Sequence, residues 1–291
     1  MDARALLLEA IDNRWQTYRE QIKTCRREFS EEAVHDLRVA ARRLLALVDL
    51  IRAIAPHPRL QKIRKALKGQ LDEFDGLRDT QVMLAEVSEN LETLPELKPI
   101  RQILQKRERR FLREAEEIIE DLKPAGIARR LEKTRAMIAQ VQAGPAFDAL
   151  VLQAVDEAYG TVLQRYAWIH ASQPATIHRT RIAFKRFRYM VEIIHPLLPD
   201  FPRTNFKRMH DYQTAMGEIQ DAEVFLFTLE EMTEIEGIEV IRRHYEQRHQ
   251  QLIAVFMEEK SQVETFWRPA PEQPFPWQVI QPAETKALSP S

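Results

Sequence analysis

Three features of the amino-acid sequence predict an all-α fold. Glycine is scarce, at 7 of 291 residues, whereas strand-rich chains use glycine freely in tight turns. Prolines gather at Pro56 and Pro58, Pro95 and Pro99, Pro124, Pro145, Pro174, and Pro196 to Pro202. Proline suits a first helical turn and resists a helix interior, so these clusters punctuate helices. Between them, apolar residues recur with helical spacing, as in Val34, Leu37, Ala41, Leu44 and Val48, and no period-two alternation is sustained outside the C-terminus.

The punctuation predicts helices over about 3–28, 30–55, 59–93, 97–122 and 125–142. The second of these starts at Ser30, a good N-cap, with Glu31 and Glu32 placed favourably near the positive end of the helix dipole. Gly144-Pro145 then forms a boundary. A second series follows over about 146–171, 174–195, 202–235 and 237–264. In its second helix Ile177, Thr180, Phe184, Phe187 and Val191 repeat the apolar row of residues 34–48. These readings give a first bundle over 1–143, a second over 144–265 and a Pro-rich extended tail over 266–291. The start of the tail is expected to lie on the body through Trp267, Phe275 and Trp277, and its end to be disordered.

The totals describe an ordinary globular protein, 44% hydrophobic and 30% charged, with a formal net charge of −1. The near-neutral total hides a polarised distribution. From Gly160 to Val191 the chain has no Asp or Glu, yet carries Arg165, Arg179, Arg181, Lys185, Arg186 and Arg188. Such a field steers anions to one side. Cys25 is the single cysteine, which excludes an intramolecular disulfide and fits a reducing compartment. The opening MDARALLLEAIDNRW, with acids at Asp2 and Glu9, fails as a signal peptide. No stretch approaches the ~20 apolar residues that a membrane helix needs. The expected location is therefore cytoplasmic.

One motif occurs twice. Residues 34–44, VHDLRVAARRL, match residues 177–187, IHRTRIAFKRF, so that His35, Arg38, Arg42 and Arg43 correspond to His178, Arg181, Lys185 and Arg186. A second block, Lys65 to Leu84, matches Lys207 to Leu226 and ends its core on Asp79 and Asp221. The offset is 143 residues in the first block and 142 in the second. Two similar units suggest two antiparallel helical bundles related by a pseudo-two-fold axis, with a basic groove between or across them.

At 100° per residue, with the histidine at 0°, residues three, seven and ten further on fall at about 300°, 340° and 280°. His178, Arg181, Lys185 and Arg188 therefore share one face. In the first copy His35, Arg38 and Arg42 do so, with Leu45 in the last place. The apolar row lies beside the stripe at about 180–260°. Arg43 and Arg186 fall near about 80°, where they reach the edge of a groove or pair with acids. Repeated cations without neighbouring acid are unfavourable until an anion or facing carboxylates neutralise them. Each histidine has two readings, anion donor or helix-packing residue.

The two motif helices and the Asp-ended segments Leu77-Arg78-Asp79 and Gly217-Glu218-Ile219-Gln220-Asp221 resemble the signatures of the CHAD family, the conserved histidine α-helical domain. The resemblance spans about residues 5–265. It implies two pseudo-symmetric helical bundles flanking a basic groove, binding of inorganic polyphosphate, and no catalysis or cofactor. No glutamate-rich triphosphate-tunnel domain precedes it, so the likeness is to the stand-alone type. Leu45 and Gly76 depart from the pattern, so the first half is expected to grip less strongly. The candidate lining from that half is His35, Arg38, Arg42, Arg43, Lys65 and Lys68. From the other half come His178, Arg181, Lys185, Arg186, Arg188, Lys207 and Arg208.

Other classes remain open at this level. Asp79 and Asp221 either ligate Mg²⁺ beside a phosphate or act structurally, as turn caps or partners of a motif arginine, and the structural role is favoured. No HExxH, glycine-rich phosphate loop or nucleophile elbow is present, and no metal site is expected. The cations would equally serve a nucleic-acid backbone, although no reading motif accompanies them. A granule-coat or scaffold protein is the third class, and association with polyphosphate granules is an expectation of the first.

Overall fold

The computed structural model describes residues 2–279, and the expected disorder at the end of the tail falls outside that range. The fold is all-α. The helices are α1 (Ala3–Arg27), α2 (Glu31–Ile54), α3 (Pro58–Glu73), α4 (Asp75–Glu89), α5 (Lys98–Asp121), α6 (Ala125–Ala139), α7 (Pro145–Tyr166), α8 (Pro174–Ile194), α9 (Thr204–Glu230) and α10 (Ile238–Glu259). Among the described residues, the one β-type pairing is an isolated bridge between His170 and Gln173.

Local chemistry accounts for the boundaries. Asp2 and Ser30 cap α1 and α2 by accepting from the Ala5 and Ala33 backbone N–H groups. Pro58, Pro99, Pro145 and Pro174 sit in the first turns of α3, α5, α7 and α8, where a missing N–H costs nothing. Gly144 has φ 136° and Gly237 φ 79°, conformations that favour glycine at the entries to α7 and α10.

The segment expected as one helix over 59–93 is two. Phe74 is fully buried, and its φ of −96° and ψ of −1° break the chain between α3 and α4. Its N–H donates to the Leu71 carbonyl at 3.2 Å, a tightened last turn that swings the ring into the core. Two residues later, a Cβ on Gly76 would meet the Phe111 ring of α5 at 2.9 Å. Glycine at this departure from the motif lets α5 lie close on α4. The matching segment of the second half, α9, runs unbroken.

Within the first half α1 packs on α2, α2 on α3 and α4 on α5; within the second, α7 packs on α8, α8 on α9 and α9 on α10. The order α1, α2, α3–α4, α5 recurs as α7, α8, α9, α10, compatible with a pseudo-two-fold relation. The halves meet where α2 crosses α7 and α8 and where α4 touches α9. The main core is continuous through both, drawing on Leu37, Leu44 and Val48 of α2, Tyr159 of α7, Phe184 and Phe187 of α8 and Met216 of α9. A smaller cluster joins Met83, Leu104, Phe225 and Tyr245 of α4, α5, α9 and α10.

Residues 266–279 clamp the second half. Trp267 is fully buried, and its Nε1–H donates to Asp156 Oδ1 of α7 at 2.7 Å. Arg268 grips both oxygens of Asp156, at 3.0 and 2.7 Å. The Trp267 ring meets Phe187 and Phe275 edge-on, and Phe275 stacks on Trp277, whose Nε1–H donates to the Pro199 carbonyl. Truncating a buried Trp removes both area and packing. Trp267→Ala is expected to lower unfolding free energy by about 3–5 kcal/mol; an unchanged urea midpoint would show that the clamp does not hold the fold.

Candidate functional site

The crossing of α2 and α8 positions a cleft of about 610 Å³. Its walls are Arg42, Leu45, Ala46 and Asp49 of α2, and Arg64, Lys68, Leu71 and Asp72 of α3, with Asp75 at the start of α4. Ala158, Thr161 and Arg165 of α7 face them, together with Arg179, Arg181, Ile182, Ala183, Lys185, Arg186 and Tyr189 of α8. Eight cations therefore line one opening against three carboxylates. Two of the carboxylates are engaged: Asp49 by Arg64 at 3.0 Å and Arg52 at 3.6 Å, and Asp75 by Arg38 at 3.0 Å. Among the described residues, Arg64 is the one cation of the eight with a carboxylate within 4.0 Å. The other seven have none.

The two copies of the motif use equivalent cations differently. At about 300° on the helix, next to the apolar row, the third residue after the histidine is drawn towards the core. Arg38 is only 4% exposed and is satisfied there by Asp75 Oδ1 and the Leu71 carbonyl. Arg181 is its counterpart, but the position matching Asp75 is Gly217, and the Arg181 guanidinium lies 3.3 Å from where a Gly217 Cβ would stand. The acid is replaced by bare backbone, so Arg181 keeps its charge for the cleft. Its Nε is buried without a hydrogen-bond partner, as is that of Arg186.

Lys185, near about 340°, occupies the middle of the open face. Burial, followed by the charges of Arg42, Arg181, Arg78 and Arg38, pushes its pKa down to about 7. Burial lowers that of Arg181 too, and Asp221 partly restores it. His178 is half-buried behind this row, with Nδ1 unpartnered. Burial and then Arg181 depress its pKa, against the pull of Glu223. Burial first, and the neighbouring cations second, hold this lysine and this histidine towards their neutral forms.

The aspartates that end the second motif lie beneath the cleft. Arg78 of α4 donates to both Asp221 oxygens of α9, at 2.8 and 3.0 Å, and to Asp79 Oδ1 at 2.9 Å. Both aspartates thus partner a motif arginine, Asp79 from the next position in α4 and Asp221 across the two halves. Among the described residues, no group of three or more His, Cys, Asp or Glu side chains is arranged to hold a metal ion.

Of the residues singled out in the sequence, the cleft gathers Arg42, Lys68, Arg181, Lys185 and Arg186. Others sit elsewhere. His35, Arg43 and Lys65 are exposed outside the lining, and His178 lies behind it. Arg38 is consumed by Asp75. Arg188, at about 280° and closest to the apolar row, donates to Gln213 and pairs with Glu192 at 3.1 Å. The tighter grip expected from Arg188 is therefore spent within the protein. Lys207 pairs with Asp211, and Arg208 bonds Asn205 and Thr265. Sequence reasoning left Arg64, Arg165 and Arg179 out of the lining. Arg165 and Arg179 stand in the acid-free stretch, a signal sufficient to find them, whereas only the packing of α3 on α2 reveals Arg64.

The comparisons agree with this architecture. Among curated proteins none matches the chain. Its structure is similar to the crystal structure of the CHAD domain from the plant Ricinus communis, with a TM-score of 0.64 and 20% identity over 96% of this chain and 92% of that one. It is also similar to PptA from Streptomyces chartreusis, with a TM-score of 0.66 and 14% identity over 89% of this chain and all of the other. At these identities the likeness concerns the fold. No helix among the described residues is long and apolar enough to cross a membrane. The family model for the CHAD domain matches residues 8–230, and with that match spanning both motif helices and both Asp-ended segments, the chain belongs to the CHAD-domain family.

Proposed function

We propose that the protein binds inorganic polyphosphate, without turning it over, in the cleft between α2 and α8. The observation that carries this reading is the set of seven cleft cations with no carboxylate partner among the described residues. Guanidinium forks match phosphate oxygens, and a lysine adds a point charge. A flexible chain of phosphates presents its charges in single file, and can follow a recess that a stiff duplex cannot bend into. Tyr189 is the one aromatic side chain in the lining, which gives a single-stranded nucleic acid little to stack on. A protein with this property is recruited to polyphosphate granules.

The decisive comparison sets cleft cations against cations outside it. Combining Arg42→Glu, Arg181→Glu and Lys185→Glu is expected to weaken binding of polyphosphate of defined length by at least about a hundredfold. It should also lower the steepness of log K against log salt by roughly 2–3, because each released phosphate contact carries a slope of about one. Lys207→Glu with Arg208→Glu, outside the cleft, should leave both nearly unchanged. The Gln versions of the three cleft substitutions, with circular dichroism as a check on helix content, separate lost charge from lost fold. Equal losses from both sets, or displacement by duplex DNA at equal phosphate concentration, would sink the reading. Phosphate release in the presence of Mg²⁺ would overturn its non-catalytic part.

Protonation of Lys185 gives a second, independent check. With its pKa near 7 in the empty cleft, a bound anion restores the charge, so binding takes up a proton above that pH. Affinity should fall as pH rises from 7 to 9, by up to about tenfold per unit. Lys185→Arg, charged throughout, should flatten the profile while retaining binding. A profile that is flat in the natural protein would remove Lys185 from the contact set.

A further inference from the structure

We propose that Lys185 is a site of acylation by acyl phosphates, small phosphate-bearing acyl donors that the cleft itself positions. This rests on the anion-binding reading of the cleft but asks for a different chemistry there. The cleft contains one lysine on α8, half-buried, with Arg42 facing it from α2 and Arg181 one turn before it. Arg78 of α4 and Arg38 of α2 act on it as well, so all four of these charged neighbours are cations. The acids closest to this group are already engaged, Asp75 by Arg38 and Asp221 by Arg78.

The arrangement supplies what aminolysis of an acyl phosphate requires. The guanidinium groups of Arg42 and Arg181 receive the phosphate, which brings the attached carbonyl to the neighbouring amine and makes the encounter effectively intramolecular. The unprotonated Lys185 Nζ attacks the carbonyl carbon. Negative charge develops on the carbonyl oxygen, and the cationic guanidinium groups of Arg42 and Arg181 in the cleft wall stabilise it. The new C–N bond forms as the acyl C–O bond to phosphate breaks. Inorganic phosphate departs and the amine's surplus proton passes to it or to water, leaving a neutral amide.

Free amine is the scarce species in such reactions. An ordinary lysine near pH 7.4 is unprotonated on the order of 0.1% of the time. Lys185 is depressed to about 7 by burial and its cationic neighbours, so roughly 70% of it is free base at that pH. Part of that gain is lost to lower basicity and to the bound dianion, which pulls the amine back towards its charged form. The rate is therefore expected to climb between pH 7 and 9. The product has lost one of the seven unpaired cations, so acylation weakens the hold on a polyanion.

The full-length protein, incubated with acetyl phosphate at pH 7.5 and digested, reports acetyl occupancy at each lysine by mass spectrometry. Initial acetylation of Lys185 is expected to exceed that of the exposed Lys65 and Lys207 by at least about tenfold. It should saturate with acetyl phosphate and be suppressed by tripolyphosphate, which leaves Lys207 untouched. Arg181→Gln should slow Lys185 alone. An acetylating N-hydroxysuccinimide ester, which has no phosphate for the arginines to hold, should show a smaller preference for Lys185. If Lys185 reacts no faster than Lys207 in a protein that binds polyphosphate, the acylation proposal is wrong and the binding reading stands. If Lys185 is selectively acetylated in a protein that does not bind polyphosphate, the proposal stands and the cleft serves small phosphates instead.

Discussion

The repulsion among cations at the crossing of α2 and α8 is the constraint on which the rest of the structure depends. Lys185, Arg181, Arg42, Arg38 and Arg78 act on one another at the meeting of α2, α4 and α8. Folding drives them together, since the same helices bury Leu37, Leu44, Phe184 and Phe187 on their adjoining faces. Hydrophobic burial is non-directional and scales with area; it accepts the charge cluster as the consequence of closing the core. The structure manages the cost at two points. Arg78 spans α4 and α9 on Asp221 and Asp79, and Arg38 is tied to Asp75. Beyond these pairs the charge is left unpaired; burial, and then the neighbouring cations, lower the pKa of Lys185, and buried guanidinium N–H groups are left without partners.

The two copies of the motif divide the work. A buried arginine next to the core needs either a carboxylate or an incoming anion, because an unpaired buried charge is costly. The first copy uses the carboxylate: Asp75 fixes Arg38 and joins α2 to α4. The second replaces it by Gly217, which lets Arg181 lie against backbone and keeps it unspent. The helix break at Phe74 belongs to the same difference, because it starts α4 at Asp75, with that side chain in reach of Arg38. Gly76, a departure from the motif, is answered by Phe111 and the close approach of α5. The halves are alike in helix order and unlike in what their equivalent residues do.

Helices and stripe were legible in the sequence because they rest on local rules. Proline positions and capping residues bounded most elements, and the 100° projection set out the stripe. Lys185 and Arg42, at about 340°, are in the opening, whereas at about 300° Arg38 is buried and paired while Arg181 lines the cleft unpaired, a difference the projection does not carry. What the sequence could not convey was pairing across space. Gln213 is a partner of Arg188 only because α8 and α9 pack, whereas Glu192 is its i, i+4 neighbour within α8. Arg64 reaches the cleft only because α3 lies on α2. The break at Phe74 depends on a tertiary pocket for its ring. Residues 266–279 are expected from the sequence to lie on the body through Trp267, Phe275 and Trp277, but no sequence pattern points to the meeting of Trp267 and Arg268 on the carboxylate of Asp156.

A cleft with unpaired charge already paid for in folding is preorganised for an anion. Binding needs no rearrangement to bring the cations together, since the core has done so. The anion's attraction is therefore offset only by its own desolvation and loss of freedom. On the proposed reading, a bound anion would also relieve the repulsion among these cations and return Lys185 to its charged form. Affinity of this origin comes from a field and not from a matched shape, which makes it sensitive to salt and tolerant of length. Under the proposed function, selectivity would then depend on geometry, since access to the recess would favour a narrow, flexible polyanion over a stiff one. The Gly217 position bears most directly on this: a carboxylate there would neutralise Arg181 as Asp75 neutralises Arg38, turning the second copy of the motif into a structural one like the first.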